Sequence, residues 1–293
     1  MTRVEKAKFN DKIMTGVFYI VAGFFLLLLA AFALHILYSG FVHFTPDMFS
    51  FDGAGIGNML FNTIYLVFLS LIISVPLGIA SGIYMAEYAK KGRLTNFFRL
   101  SIETLSSLPS IVVGLFGYLV FIVLTGAKWN LLSGACAVSI LSLPLITTVT
   151  EEALKNLPEG YKQGSYGLGA TKWQTIIYVM LPACLPKIIT GIILAAGRGF
   201  GEAAALLYTA GMSTDIIWGD WDITSPTCPF NPIRPGETLA LHIWAMRTEA
   251  MAPNAADMAN LSSAILLIMV FTFSLGARFI SAYFNKKMGG STK

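Results

Sequence analysis

The sequence predicts an all-α membrane protein with six transmembrane helices, and three observations carry that prediction. Of its 293 residues 55% are hydrophobic and only 12% are charged, about half the charge of an ordinary soluble domain. The mean hydropathy is +0.69. Six apolar runs approach or exceed the roughly 20 residues that cross a bilayer core, and the basic residues gather beside them. A net charge of +4 therefore does not point to nucleic acid. Cys136, Cys184 and Cys228 fall in different parts of the chain with no metal-like spacing, and the three histidines are scattered. A disulfide framework and a metal centre are not expected.

Residues 1–15 carry Arg3, Lys6, Lys8 and Lys12 and are expected in the cytoplasm. Gly16 to Tyr38 is the first span. Ala31-Phe32-Ala33 resembles a small-residue cleavage site, but the apolar run continues to Tyr38, which favours a retained anchor. Residues 39–57 hold no lysine or arginine, and Gly53, Gly55 and Gly57 mark a loop. Met59 to Met85 is the second span; Gly78 and Gly82 allow a close helix approach and Pro76 suggests a kink. The loop Glu87 to Arg99 carries Lys90, Lys91, Arg93 and Arg99. Ser110 to Thr125 is a short third span, Leu131 to Thr150 a fourth, Lys187 to Tyr208 a fifth and Leu261 to Phe284 a sixth, followed by Lys286, Lys287 and Lys293. Glu103, just before the third span, either caps the helix that follows or lies in solvent.

Both termini and the loops after spans two and four are placed inside. This leaves Lys128, Arg234 and Arg247 outside and Arg198 and Arg278 within spans; the other 15 of the 20 basic residues are cytoplasmic. The external piece from Gly211 to Asp257, with Trp218, Trp221, Pro226, Pro229, Pro232 and Pro235, is expected to fold partly across the outer face of the bundle. A structured loop and a landing surface for an external partner remain equally open there.

Gln163 to Pro182 is too polar to span and too patterned to be filler. Gly164, Gly167 and Gly169 interrupt it, and Trp173, Ile176, Ile177 and Met180 recur at helical spacing. Two short helices broken at glycine are expected, forming a docking surface for another protein.

Inside the membrane, Gly197-Arg-Gly-Phe-Gly-Glu-Ala-Ala is the sharpest chemical signal. Arg198 follows Lys187 by 11 residues, or roughly 16 Å of helix, which puts it near mid-bilayer. An arginine there costs at least ~2.5–3.5 kcal/mol, so it should face protein or water. Glu202, one turn on, can pair with it. A buried ion pair beside a Gly197-x-x-x-Gly201 helix contact is one reading. A substrate pathway is the favoured one, because the guanidinium fork suits oxyanions. No phosphate-cradling P-loop occurs, nor a nucleophile–base set or zinc motif. No catalytic residue is expected, and any engine is another polypeptide.

Gly169-Ala170, eight residues, then Val179-Met180-Leu181-Pro182 resembles the EAA loop of ABC importer permeases, the segment that docks into their ATPase. Gln163, Gly164 and Ser165 stand where that family places Glu-Ala-Ala or Glu-Ala-Ser, so a glutamate is replaced by an amide. Leu108-Pro-Ser-Ile-Val-Val-Gly114 and Gly191 to Ala204 resemble spans of phosphate permeases, and Leu206 to Gly211 resembles the PstA type rather than its PstC partner. The resemblance runs from about Asn58 to Phe284. It implies a type I, MetI-like importer permease fold: residues 1–57 as an N-terminal segment, first span and external loop, 58–284 as the permease core, and 285–293 as a tail. Within the core, 151–186 is the coupling loop and 211–257 the external loop. It further implies Gln163, Gly164, Ser165, Gly169, Ala170 and Thr171 as ATPase contacts and Arg198 and Glu202 as the substrate pathway. Where relatives carry an arginine near the inner end of span four, this chain has Thr148; Thr147 and Thr148 are left as a minor pathway contribution. The implied function is half of the channel of an ATP-driven phosphate importer in the bacterial inner membrane. The partners would be a PstC-like subunit, two ATPase subunits that bind the ATP, and a periplasmic phosphate-binding protein. A permease for sulfate, molybdate or phosphonate, a passive anion channel, or a signalling subunit are the alternatives.

Overall fold

A computed structural model describes residues 3–53, 55–213, 215–249 and 253–288. In chain order the helices are α1 (Arg3–Phe41), α2 (Gly57–Ile83), α3 (Arg93–Ser107), α4 (Ser110–Gly117), α5 (Leu131–Lys155), α6 (Glu159–Gly167), α7 (Lys172–Thr175), α8 (Leu181–Phe200), α9 (Ala204–Thr209), α10 (Leu239–Thr248) and α11 (Ala255–Met288). Wide π-type turns at Tyr84–Tyr88 and Tyr118–Val123 extend α2 and α4, and one at Ile176–Met180 joins α7 to α8. No strand occurs among the described residues. Lys293 and Pro253's neighbours 250–252 lie outside those residues.

Five helices are long and apolar enough to cross a membrane; α3 and α4 make a sixth crossing only as a pair bent by 103°. The bend has a local cause. Proline disfavours helical backbone in the residue before it, and Leu108 and Pro109 are both extended, with ψ of 134° and 135°.

Several expected boundaries move. The helix expected as the fifth span starts at Lys172, not Lys187, and ends at Phe200, not Tyr208. Its early start depends on the π-type turn, where the Leu181 amide reaches the Ile176 carbonyl; this carries the helix into Pro182, which has no N–H to give. Part of the polar stretch is therefore the foot of a span. The first helix likewise starts at Arg3, so the basic N-terminal residues lie on it rather than ahead of it.

With α6 drawn at the lower end, α2 and α5 form the central seam and are packed most extensively. The expected glycine pair explains how. A Cβ on Gly78 would sit 2.7 Å from Ile146 Cγ2, and one on Gly82 would sit 2.5 Å from Thr150 Cβ, so only glycine admits α5 this closely. Lower on the bundle Ile83, Leu154, Ile176, Met180 and Ile188 pack together; at the upper end Ile56, Met59, Leu239, Met258 and Leu261 do so. α1 lies at the edge with its apolar window uncovered. It meets α11 at its upper end, where His43 Nδ1 is 2.9 Å from Asp257 Oδ1.

Of the stretch 211–257 expected to fold partly across the outer face, the part ahead of α10 folds across the upper end, while Leu239–Thr248 is the helix α10. Trp218 Nε1 donates to Asn58 Oδ1 at 3.0 Å, Tyr65 OH donates to Phe230 O at 2.7 Å, and Asn62 Nδ2 donates to Glu237 O at 2.9 Å.

Candidate functional site

Two places concentrate the chemistry: an elbow at the lower end and one face of α8. The elbow joins α6 to α7 through Leu168–Thr171. Gly169 there has φ +84°, a left-handed backbone that side chains with a Cβ resist. Thr171 then starts α7 with a capping box: Gln174 N–H donates to Thr171 Oγ1 at 3.3 Å and Thr171 N–H to Gln174 Oε1 at 2.8 Å. Ser165 and Thr175 share a hydroxyl hydrogen bond of 2.9 Å that ties the two limbs.

The break falls at Gly169 alone; Gly164 and Gly167 are inside α6. Of the six expected docking residues, Gln163, Gly164, Gly169 and Thr171 are exposed and Ala170 is half-buried, but Ser165 is buried in the joint. The expected apolar face is also revised. Ile176 and Met180 are buried with Cys184 and Ile188, whereas Trp173 is 59% exposed because it sits on the elbow before the helix meets the bundle. Leu168, at the tip, is 91% exposed, an apolar side chain offered to solvent in this chain.

The elbow is clamped to the foot of α2. Lys162 Nζ on α6 is 2.6 Å from Glu87 Oε1, and that carboxylate side chain is only 7% exposed. From the other limb, Lys172 Nζ donates to the Glu87 carbonyl and lies 4.4 Å from the centroid of the Tyr88 ring. Glu87 carried no signal in the sequence, since its partners lie 75 and 85 positions away. Nearby, Glu151 on α5 holds Arg99 of α3 at 2.9 Å and Lys155 at 2.5 Å. Glu103 is exposed on α3.

The intramembrane pair is not a pair. Arg198 and Glu202 form no ion pair, because α8 ends at Phe200 and the chain breaks before α9. Glu202 is buried and its Oε1 instead accepts from Ala205 N–H at 3.0 Å, satisfying an orphan amide at the start of α9. Arg198 is exposed on the face of α8 that also carries Thr190 and Leu194 and has no hydrogen bond or ion pair among the described residues. The expected close contact at Gly197 and Gly201 is absent too: nothing lies within 4 Å of a Cβ on Gly197, and neighbouring Gly199 packs instead, on Val67 and Val138. Val67 is ten residues into α2 and Val138 seven into α5, so Arg198 lies roughly 10–15 Å below the upper end of the bundle. Thr147 is buried against α2 and Thr148 is exposed. Both lie about ten residues, or ~15 Å, further down α5 than Val138, so the fold does not bring them to Arg198.

Arg234, placed by the sequence simply among the external basic residues, is a buried cation. Arg234 is 1% exposed. Its Nη2 donates to Asn62 Oδ1 at 2.6 Å and to Pro229 O at 3.1 Å, and its Nη1 to Pro235 O at 3.2 Å. Burial pushes its pKa down to about 10. It staples the 211–238 segment to α2.

Residues 74–290 match the family described as binding-protein-dependent transport system inner membrane component. The chain is 42% identical over 288 residues, 96% of its length and 98% of the relative's, to the probable ABC transporter permease protein YqgI of Bacillus subtilis. It is 36% identical over 156 residues, about half of each chain, to the phosphate transport system permease protein PstA of Xylella fastidiosa. Among solved structures, a chain of a bacterial alginate ABC transporter superposes with a TM-score of 0.64 at 15% identity, covering 97% of this chain and 99% of that one. A chain of the MetNI methionine ABC transporter in an inward-facing conformation gives 0.58 at 18% identity, covering 82% and 99%.

Proposed function

The chain belongs to the family of binding-protein-dependent transport system inner membrane components, with the all-α, MetI-like fold of type I ABC importer permeases, and on that premise we propose that it forms half of the translocation path of a phosphate importer. The observation that carries the proposal is Arg198. It stands on the uncovered face of α8, within an apolar helix, with no hydrogen bond or ion pair among the described residues. A guanidinium at that depth faces lipid only at high cost, so the face is completed by a second permease subunit or by a water-filled path. An oxyanion entering that path meets a fork of donors matched to two of its oxygens.

Phosphate is preferred over other oxyanions because the PstA of Xylella fastidiosa is among the relatives and because the stretch Gly191 to Ala204 resembles spans of such permeases. On this reading residues 58–284 are the working core. A PstC-like subunit completes the path, two ATPase subunits dock at the elbow, and an external phosphate-binding protein delivers substrate at the 211–238 end. ATP-driven closure of the ATPase pair moves the elbow, and the clamp through Lys162, Glu87 and Lys172 passes that motion to α2. The path then opens to one side at a time.

Radiolabelled phosphate uptake in an Arg198→Gln variant that inserts and assembles tests the proposal. Loss of a charge-assisted hydrogen bond is worth ~1.5–3 kcal/mol, so uptake falls by about tenfold or more. Uptake at the wild-type rate overturns the role of Arg198, and uptake that proceeds without ATP shows a passive channel instead.

A further inference from the structure

The crevice beneath α3 is unlike the rest of the bundle. α3 has fifteen residues and not one of them is buried. It leaves α4 at 103°, so where α4 runs along the membrane normal α3 runs along the surface, the posture of an interfacial amphipathic helix. Between it and the bundle lies a crevice of about 570 Å³, walled by Leu94, Phe98 and Ile102 of α3, Ala80 and Met85 around the end of α2, and Pro144 of α5. The three α3 residues are spaced by four, so they share one side of the helix.

An apolar space of this size does not hold water at equilibrium with bulk solvent cheaply. The chain just ahead of the wall is as distinctive as the wall itself. Lys90, Lys91 and Arg93, which precede the wall residue Leu94, are exposed, and among the described residues none has a carboxylate within ion-pair reach. Arg99, one helix face away, contrasts with them because Glu151 already holds it. Apolar walls and, next to Leu94, cations unpaired among the described residues together suit one ligand with both characters.

We infer that this crevice is a phospholipid site: an acyl chain lies against Leu94, Phe98 and Ile102, and an anionic headgroup is held by Lys90, Lys91 and Arg93. The lipid fills the gap under α3 and seats that helix against α2 and α5. The inference rests on the crevice and the basic residues ahead of Leu94 and is independent of what the permease carries.

Phe98 replaced by photoreactive benzoylphenylalanine in the full-length chain reports the occupant directly. After irradiation in native membranes, intact-mass analysis is expected to show an adduct of one phospholipid mass. An adduct to a polypeptide alone, or no lipid adduct, overturns the site. The headgroup assignment has its own reading, in the chain reconstituted with phosphatidylglycerol and phosphatidylcholine at equal amounts. Lys90→Gln, Lys91→Gln and Arg93→Gln are surface changes that leave the packing intact. Each is expected to lower the anionic preference of the adduct by about fivefold, the effect of one basic group near a charged lipid surface. An unchanged preference in the triple variant overturns the headgroup assignment. Ala80→Trp, which fills the crevice from α2, is expected to abolish the adduct while the phosphatidylglycerol preference of the bulk lipid stays the same; an undiminished adduct places the lipid elsewhere.

Discussion

Arg198 and Arg234 show how differently two arginines are used in one chain. Arg234 is buried and engaged by Asn62 and backbone carbonyls, with no carboxylate bonded to it among the described residues. Arg234→Leu leaves Asn62 Oδ1 and the Pro229 and Pro235 carbonyls without that donor, at ~1–3 kcal/mol for an orphaned buried group. The expected outcome is a lower thermal midpoint and protease cleavage within 211–238. Because the folded-state pKa, about 10, lies below the ordinary value of an arginine, the charged form is penalised in the fold. That penalty is fully present at neutral pH, and stability rises only as the group loses its proton above about 10. The stability difference between wild type and Arg234→Leu is therefore flat from about pH 6 to about pH 9, which denaturant titration across that range checks. Arg198 makes no such contacts, so Arg198→Gln alters transport with little change in folding. Arg198→Lys keeps the charge but not the fork, and phosphate uptake intermediate between wild type and Arg198→Gln is expected.

Among the elements, the elbow and the foot of α2 act as one mechanical unit. Ser165 and Thr175 join its limbs, and Lys162 and Lys172 bind both limbs to Glu87. In the assembled complex, Glu87→Gln removes the charge that holds α6 while leaving the exposed docking surface unchanged. ATP hydrolysis is expected to persist and phosphate carried per ATP to fall severalfold. The charge-reversed double variant, Glu87→Lys with Lys162→Glu, restores the ratio if the pair itself transmits the motion; failure of both ratios to change removes Glu87 from the coupling path. Cysteines at Ala170 and Thr171 test docking separately, since both flank the exposed tip at Leu168 and should crosslink to the ATPase.

At the scale of the whole molecule, α6 and the 211–238 segment lie at opposite ends of the bundle, and the basic residues favour the α6 end. Labelling with an impermeant maleimide checks the assignment of sides in a background where Cys136, Cys184 and Cys228 are replaced. Thr171→Cys is expected to react only in inverted vesicles, and Trp221→Cys, which is exposed on the upper segment, only in intact spheroplasts. The opposite pattern inverts the proposed topology and moves the ATPase contact away from the elbow.

Composition, apolar run length and charge placement determined the all-α membrane class and most span positions, because crossing a bilayer demands long apolar helices whatever packs against them. The glycine spacing at 78 and 82 likewise marked a close helix approach, since that requires the missing side chain itself; that the partner is α5 was decided by the fold. Tertiary structure decided where polarity misled. A π-type turn let the helix expected as the fifth span begin at Lys172, and a break after Phe200 separated Arg198 from Glu202, which helical periodicity had placed together. Glu87, Arg234 and the crevice under α3 were invisible beforehand, because each is made by residues far apart in the chain. The elbow itself was legible as a patterned polar stretch with a glycine; its attachment to the foot of α2 was a property of the fold alone.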